Sequence, residues 1–538
     1  MTYRVPIRAS RLLSRRHEPD LSMRRVADSG AESPRRAERK SVIRPRLPLI
    51  SLLIAAALAV SGCSAAGSGS VPLVRNPVDE PVKAPKLVVP AGFDVNNGWQ
   101  ADVRSRAYVV APKVGALISI DTRSNIPSAD SDSTTRTKTV VVARGAGDGK
   151  VWWWSKPVTQ LQDQERPILS LITVRDTEMI VLMRLGTIPE DGLNRARRVV
   201  VADSFVAASS GRDVIPRQHL VRDVPEGTTE MPARVGDGGV LFRDGGDRRE
   251  EGPFGRGSLW NPDTGEVSPT GPTGPTPRRC LLGSTCTMLS YPMSPTAAGM
   301  LNETWQTIDS KDENGLPDTC RVYSSRDEAC GRGFEIAGRW NSGSVAPPGR
   351  ALGVPVSVTN TAVVAAWWTP AAENQPQEVL YVVHDLVTGA ALTQTPCHTA
   401  RDDTPDEYHR LLTARHSPDT RYLVVGPLAV DMRGAAVCFA QNDRNNAVRL
   451  ESVSNAGIAY GTIQSSDGSN KLNAGRAALN IATKGIEALP AGVRPPSFLT
   501  ASSVGIFVTR NTEGREPFDT TLTMYPPPPA VPLPTKKS

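Results

Sequence analysis

The stretch VVHDLVTGAAL at residues 382–392 decides the fold class, because it encodes an apolar strand, a tight turn and the start of a second strand. Asp385 favours the turn, and Gly389 takes the positive φ that such a turn requires. The same pattern recurs in LWNPDTGEV at residues 259–267 and, more weakly, in ISIDTRSN at residues 118–125. Recurring strand–turn–strand units predict a repeated β architecture.

The rest of the chain shows the same pattern of short apolar strands bounded by turn residues. In RHSPDTRYLVVGPLAVD, residues 415–431, a Ser-Pro-Asp turn leads into an apolar strand. Other short β-branched runs are bounded by Gly, Pro, Asp and Asn, and apolar residues with helical spacing are nearly absent. Residues 476–489, RAALNIATKGIEAL, are compatible with a short helix or with strand–turn–strand. The sequence therefore predicts an all-β protein.

These sequence segments resemble the blade turns of TolB-type, WD-repeat-like and quinoprotein-like β-propellers. At about 40–60 residues per blade, residues 91–525 accommodate a single propeller of seven four-stranded blades, or alternatively eight; a pair of β-sandwiches is the competing architecture. We expect a strand near residues 93–103 to pair with residues 519–525, because this pairing leaves no exposed sheet edge.

A comparison with quinoproteins favours their blade geometry but not their cofactor. Asp385-x-x-Thr388-Gly389 resembles half of their tryptophan-docking motif, but the position of the motif's tryptophan is occupied by Thr393. No two cysteines are adjacent to stack on a quinone. The resemblance implies propeller blades, and we expect no cofactor.

An apolar run at residues 47–62 follows Arg44 and Arg46. A membrane-spanning helix needs about 20 apolar residues, whereas a signal-peptide core needs about 7–15 ending in small residues. The run ends in the sequence Val60-Ser61-Gly62-Cys63. This ending resembles the bacterial lipobox, which implies cleavage before Cys63 and attachment of lipid to its thiol.

The predicted organisation follows from this leader. Residues 1–41 are a disordered or untranslated extension, 42–62 a lipoprotein signal peptide, 63–90 a Gly/Ser/Pro-rich tether, 91–525 the propeller and 526–538 a Pro-rich disordered tail. The excess of arginine over lysine suggests a high-GC genome, so the chain resembles an actinobacterial lipoprotein. Such a protein is anchored by lipid to the cell membrane, on its extracytoplasmic face.

The net charge of the chain, +7, comes from its beginning. The residues before Leu47 contain 13 Lys/Arg and 5 Asp/Glu, and 49 basic and 50 acidic residues follow them. The predicted mature protein thus has no net field with which to hold nucleic acid, and we exclude nucleic-acid binding.

Six cysteines remain beside Cys63, and an even number in an exported protein indicates disulfides. Proximity in sequence favours the pairs Cys280–Cys286, Cys320–Cys330 and Cys397–Cys438; free buried thiols are the alternative.

Two polar clusters could hold a metal ion, although a simpler interpretation exists for each. His398, His409 and His416 lie among carboxylates, a set suited to a transition metal, but a polar connection between blades explains them equally. Asp309 and Asp312 lie in a glycine-containing segment, residues 309–318, but Lys311 occupies a position that a calcium loop gives to a ligand. We predict no metal.

Tryptophans offer a candidate recognition surface. In a strand, Trp152 and Trp154 share one face and Trp153 takes the other, so the three cannot all be buried. Trp367 and Trp368 repeat the situation. Such rings either pack between blades or form a stacking platform.

Function is the least determined property. No nucleophile elbow, P-loop or zinc-protease motif is present, which leaves catalysis open but favours its absence. The first hypothesis is a lipid-anchored module that binds an envelope protein or polymer. The alternative is an extracytoplasmic glycan hydrolase or lyase whose carboxylates come from several loops.

Overall fold

A computed structural model describes residues 80–104, 107–123, 138–243, 257–270, 276–279, 285–311, 317–319, 332–350, 352–368, 379–397, 411–439, 447–464, 475–510 and 520–529. Within these ranges the chain forms eight sheets and one short helix, α1 (Ser342–Val345). Each sheet is one blade of a β-propeller. The all-β prediction is confirmed, and the ring has eight blades, the alternative count, instead of seven.

The strands follow one another blade by blade. Two of them, β1 (Val82–Lys83) and β2 (Trp99–Val103), precede blade 1 and belong to blade 8. Blade 1 contains β3 (Tyr108–Ala111), β4 (Ala116–Arg123), β5 (Lys138–Gly145) and β6 (Val151–Ser155). Blade 2 contains β7 (Ile168–Val174), β8 (Thr177–Ile188), β9 (Arg197–Val206) and, after β10 (Gly211–Val214), which joins the edge of blade 1, β11 (Gln218–Asp223). Blade 3 contains β12 (Ala233–Gly236), β13 (Gly239–Arg243), β14 (Gly257–Trp260) and β15 (Val267–Thr270).

Blade 4 contains β16 (Thr276–Arg279), β17 (Thr285–Thr296), β18 (Gly299–Lys311), β19 (Pro317–Thr319), β20 (Arg332–Ile336) and β21 (Trp340–Asn341). Blade 5 contains β22 (Leu352–Val358), β23 (Ala362–Trp368), β24 (Val379–Asp385) and β25 (Ala391–Cys397). Blade 6 contains β26 (Arg415–His416), β27 (Tyr422–Val425), β28 (Leu428–Asp431) and β29 (Ala435–Cys438). Blade 7 contains β30 (Ala447–Val453), β31 (Ile458–Gln464), β32 (Arg476–Asn480) and β33 (Gly485–Leu489), and blade 8 is completed by β34 (Phe498–Leu499), β35 (Gly505–Arg510) and β36 (Thr520–Tyr525).

The number of blades was underestimated because blades differ in length. Blade 6 occupies only residues 415–438, since its connections are very short, whereas blade 4 occupies residues 276–341. An average length per blade therefore cannot count them. The segment at residues 476–489 contributes β32 and β33 to blade 7, so it forms strand–turn–strand instead of a helix.

The ring closes as the sequence predicts. β2 pairs antiparallel with β36 along its whole length, from Trp99 opposite Met524 to Val103 opposite Thr520. The fold also begins earlier than residue 91. β1 pairs with β2, and the backbone N–H of Leu87 donates to the hydroxyl of Tyr525 at 3.1 Å. The end of the predicted tether is thus part of blade 8.

Tryptophans on outer strands join neighbouring blades. The indole N–H groups of Trp99, Trp153 and Trp340 donate to the carbonyls of Ala146, Ala207 and Leu386 at 2.8, 3.0 and 3.0 Å. Each tryptophan lies on the outer part of one blade, and each carbonyl follows the third strand of the next. A buried indole needs a partner for its N–H, and this geometry supplies one while the ring fills the space between blades.

Gly389 illustrates how tightly the blades pack. Its φ is +74°, and a Cβ added there would lie 2.8 Å from the ring of Trp340. Gly349 has the same φ but no atom within 4 Å of an added Cβ. We therefore expect Gly389→Ala to lower the free energy of unfolding by about 2–4 kcal/mol and Gly349→Ala by about 1 kcal/mol. Urea unfolding of both variants measures the difference, and equal losses would contradict the packing of Trp340 on this turn.

A disulfide joins Cys397 at the end of β25 to Cys438 at the end of β29. It connects the outer strands of blades 5 and 6 and confirms one of the three predicted pairs. Cys280, Cys320 and Cys330 lie outside the described residues, as does the side chain of Cys286.

The ring has two unlike faces. Because the strands of a blade are antiparallel, the turn from first to second strand and the turn from third to fourth lie at the same end, which we call the turn face. In blade 4 the count starts at β17, because β16 is an additional strand at the edge of the sheet. The first-to-second turns on this face occupy residues 112–115, 175–176, 237–238, 297–298, 359–361, 417–421, 454–457 and 500–504.

The opposite end, the loop face, is where the second strand of each blade ends and the third strand begins. The stretches of sequence between these strands are residues 124–137, 189–196, 244–256, 312–331, 369–378, 426–427, 465–475 and 511–519. All but one of them contain more residues than any of the first-to-second turns, and residues 189–196 and 426–427 lie wholly within the described ranges.

Candidate functional site

Charged side chains from several blades meet at the axis of the ring on its turn face. Lys113 follows β3, and its ammonium lies 3.7 Å from the carboxylate of Asp176 in blade 2. Its charge also acts on His416, which belongs to blade 6. Blades 1 and 6 are not neighbours, so this interaction crosses the interior of the ring. We call Lys113, Glu178, Asp237, Arg415 and His416 the axial cluster.

The two carboxylates of the axial cluster are bonded to backbone amides. Glu178 accepts from the N–H groups of Lys113 and Val114 at 3.2 and 2.9 Å, and Asp237 accepts from the N–H of Thr173 at 2.9 Å. Burial raises the pKa of both carboxyls, although these hydrogen bonds oppose the shift. Each carboxylate therefore joins its own blade to the preceding one.

Arg415 has a different environment. Its guanidinium lies over the ring of Phe498 in blade 8, with 4.3 Å to the centroid. Within the described ranges this guanidinium forms no hydrogen bond or ion pair with another side chain. Burial lowers the pKa of Arg415, while ionised Tyr108 and Glu451 would raise it. Stacking leaves the planar donor edge of the guanidinium open.

His416 stands next to Arg415 on β26, and its two ring nitrogens are shielded from solvent without a hydrogen-bond partner among the described residues. Burial, and then the charge of Lys113, lower the pKa of His416 to about 4. The imidazole is thus neutral near pH 7 and carries one unused donor and one unused acceptor. Unpartnered buried polar atoms are costly and need an explanation.

Stability should depend on pH through His416. Its pKa is about 4 in the folded protein against 6.5 for an unperturbed histidine, so the unfolded chain binds the proton more readily. The contribution is complete above pH 6.5 and is lost as pH falls towards 4, by at most about 3 kcal/mol. We expect His416→Gln to remove this part of the pH dependence, as measured by urea unfolding across that range. Parallel curves for wild type and variant would contradict the assignment.

The histidines and carboxylates predicted as metal candidates are not brought together. In the part of the chain that the structure describes, no three His, Cys, Asp or Glu side chains are placed to bind a metal ion. His398, His409 and Asp312 lie outside that part, and only the backbone of Asp309 is described, in β18.

The tryptophans divide as strand alternation predicts. Trp153 is fully buried and stacks on Phe205 at 5.9 Å, whereas Trp152 is 38% exposed. Trp154 is half-buried, with the guanidinium of Arg212 at 4.7 Å from its ring. Because Trp153 packs between blades 1 and 2, it cannot serve as a recognition surface; Trp152 and Trp154 remain accessible.

Trp367 is also buried, so it too cannot contribute to a recognition surface. Its indole N–H donates to Nε2 of His384 at 3.2 Å, and Nδ1–H of His384 donates to the carbonyl of Gly389 at 2.9 Å. Burial lowers the pKa of His384, which keeps this chain of hydrogen bonds neutral. The side chain of Trp368 lies outside the described residues.

On the loop face, one well-defined connection presents an apolar side chain. Asp191 Oδ1 accepts from the N–H groups of Leu193 and Asn194 at 3.1 and 2.8 Å, and Asp191 Oδ2 accepts from the amide of Asn194 at 3.0 Å. The hydrogen bonds from Asn194 lower the pKa of Asp191. This bonding fixes the turn whose tip is Leu193, which is 95% exposed.

Of the axial cluster, the sequence pointed to His416 alone, and only as a candidate metal ligand. Lys113, Glu178, Asp237 and Arg415 are far apart in sequence and carry no motif. Their positions at or beside first-to-second turns would have been the available signal, because those turns surround the axis on one face.

No membrane-crossing helix is found among the described residues, none being both long and apolar enough. The leader residues Val60, Ser61, Gly62 and Cys63 lie outside them.

No protein-family model matches this chain, and no curated protein matches it. Among solved structures, a match is the GH74 xyloglucanase from Xanthomonas campestris, with 8% sequence identity and a TM-score of 0.16. The match covers 82% of this chain and 68% of the xyloglucanase. At this level of overlap, no property of that enzyme transfers to the present chain.

Proposed function

We propose that this protein is a lipid-anchored extracytoplasmic binding module whose propeller engages an envelope protein or polymer through its loop face. The leader ending in Cys63 supplies the anchor in this proposal. The observation that carries the binding role is the difference between the two faces: short turns join first and second strands on one face, whereas longer stretches of sequence separate second and third strands on the other.

The connection at residues 189–196 is the best-defined contact point of the loop face. Its Asp191–Asn194 hydrogen bonds hold Leu193 outward before any partner arrives. A partner that covers the leucine therefore does not have to order the loop, which lowers the entropic cost of binding. Burial of a leucine side chain contributes about 1.5–3 kcal/mol.

Crosslinking in intact cells, followed by purification and mass spectrometry, tests both parts of the proposal. We expect one envelope component to crosslink to the wild type and to be lost in Leu193→Asp. Ile486→Asp is the matched control, because Ile486 is an exposed apolar residue on the outer strand β33. Equal capture by the two variants would contradict use of the loop face.

The anchor has its own measurement. Cys63→Ser should move the protein from the membrane fraction to the medium or the soluble extracytoplasmic fraction. Retention of this variant in the membrane would contradict lipid attachment at Cys63, whatever the outcome for Leu193→Asp.

The described residues favour this proposal over a glycan hydrolase. Among the described carboxyls with a shifted pKa, Glu178 and Asp237 are the two whose pKa is raised on balance, because of burial, as a general acid requires. Both, however, are bonded to backbone amides of neighbouring blades, which gives them a structural role. Trp153, the ring that a sugar platform would have used, is buried.

A further inference from the structure

The polar groups at the ring axis differ in how many hydrogen-bond partners they have. Glu178 accepts two backbone N–H groups, Asp237 accepts one, and Glu451 accepts the hydroxyl of Thr462 at 3.0 Å. The hydrogen-bond donors at the axis have fewer partners than these acceptors. The guanidinium of Arg415 lies over the ring of Phe498 and is influenced by Tyr108 and Glu451 without a hydrogen bond to either, and His416 has no partner for either nitrogen among the described residues. The described residues therefore supply no hydrogen-bond acceptor to the side chains of Arg415 and His416.

From this imbalance we infer that the axis of the ring, on its turn face, is a binding site for a carboxylate group. Arg415 provides the two parallel N–H donors that a carboxylate accepts. Lys113 adds a cation from blade 1, and neutral His416 adds one N–H donor.

The surrounding charges select the class of ligand. Glu178, Asp237 and Glu451 lie around the same axis and repel anions, and the repulsion of a dianion is about twice that of a monoanion. A carboxylate carries one charge and matches the guanidinium in plane, whereas phosphate carries nearly two at pH 7. The site therefore favours a carboxylate over phosphate.

The carboxylate could belong to a free small molecule or to the end of a peptide chain, and the same chemistry recognises both. This site is independent of the proposed loop-face function: it lies at the other end of the ring and involves neither Leu193 nor the lipid anchor. Failure of either proposal leaves the other standing.

Calorimetry and saturation-transfer NMR on the full-length protein test the inference with four probes: acetate, a short peptide with a free α-carboxyl, the same peptide amidated, and inorganic phosphate. We expect acetate or the free peptide to bind, phosphate to bind more weakly, and the amidated peptide not to bind. Equal binding of acetate and peptide assigns a free small carboxylate, and tighter binding of the peptide assigns a chain terminus.

Variants locate the binding. Arg415→Gln should weaken carboxylate binding about tenfold or more, whereas Arg421→Gln should not, because Arg421 pairs with Asp431 within its own blade at 3.0 Å. If Arg415→Gln does not fold, Lys113→Gln replaces it, since Lys113 lies in a turn and is partly exposed. Absence of carboxylate binding, tighter binding of phosphate, binding of the amidated peptide, or equal affinities in axial and control variants would overturn the inference.

Discussion

Trp153→Ala is expected to lower the free energy of unfolding by about 3–5 kcal/mol, while Trp152→Ala, one residue earlier, should lower it by less than about 1 kcal/mol. Trp153 is fully buried between blades 1 and 2, and its indole N–H satisfies the carbonyl of Ala207. Removing the ring creates a cavity and leaves this carbonyl without its partner. Trp152 is 38% exposed, and its indole donates no hydrogen bond to a neighbouring blade within the described ranges.

Trp153→Phe separates the two contributions, because it retains most of the ring and removes only the donor. We expect a loss of about 1–3 kcal/mol for this variant. Urea unfolding followed by far-ultraviolet circular dichroism measures all three, since tryptophan fluorescence changes with the substitutions themselves. Equal losses for Trp152→Ala and Trp153→Ala would show that blades 1 and 2 do not pack as described.

The disulfide gives the second large effect. It closes a loop with a sequence separation of 41 between Cys397 and Cys438, and the chain-entropy relation assigns about 4 kcal/mol to a loop of this size. We expect Cys397→Ala/Cys438→Ala to lower the free energy of unfolding by about 2–4 kcal/mol under oxidising conditions.

A reductant provides the control for this pair. It should destabilise the wild type more than the double variant, because only the wild type has the Cys397–Cys438 bond to lose. The five remaining cysteines are common to both proteins, so their response cancels in the comparison. An equal response of wild type and variant to the reductant would contradict a bond between blades 5 and 6.

Local chemistry made much of the fold predictable. Turn residues such as Asp385 and Gly389 act within a few positions, and the closing pair of β2 with β36 follows from the need to protect sheet edges. Alternation along β6 correctly indicated that Trp152 to Trp154 could not share one environment. These predictions depend on short-range geometry, which a single sequence contains.

Relations between blades were harder to predict. The turn at Gly389 has no tryptophan four residues on, where the sequence comparison looked for it, because the ring that packs there is Trp340 of the preceding blade. The axial cluster is similar, since Lys113 and His416 approach one another only after the ring has closed. Such contacts depend on the number of blades and on the order in which they pack. The sequence around any single residue specifies neither.

Closure of the ring by β2 and β36 is the central claim, because it creates both the axis and the two faces. Hydrogen exchange of the native protein, followed by mass spectrometry of peptides covering residues 99–103 and 520–525, measures it directly. We predict that the two segments are protected to a similar degree, since each backbone pairs with the other along its length. Rapid exchange of residues 99–103 while residues 520–525 stay protected would contradict the closed eight-bladed ring.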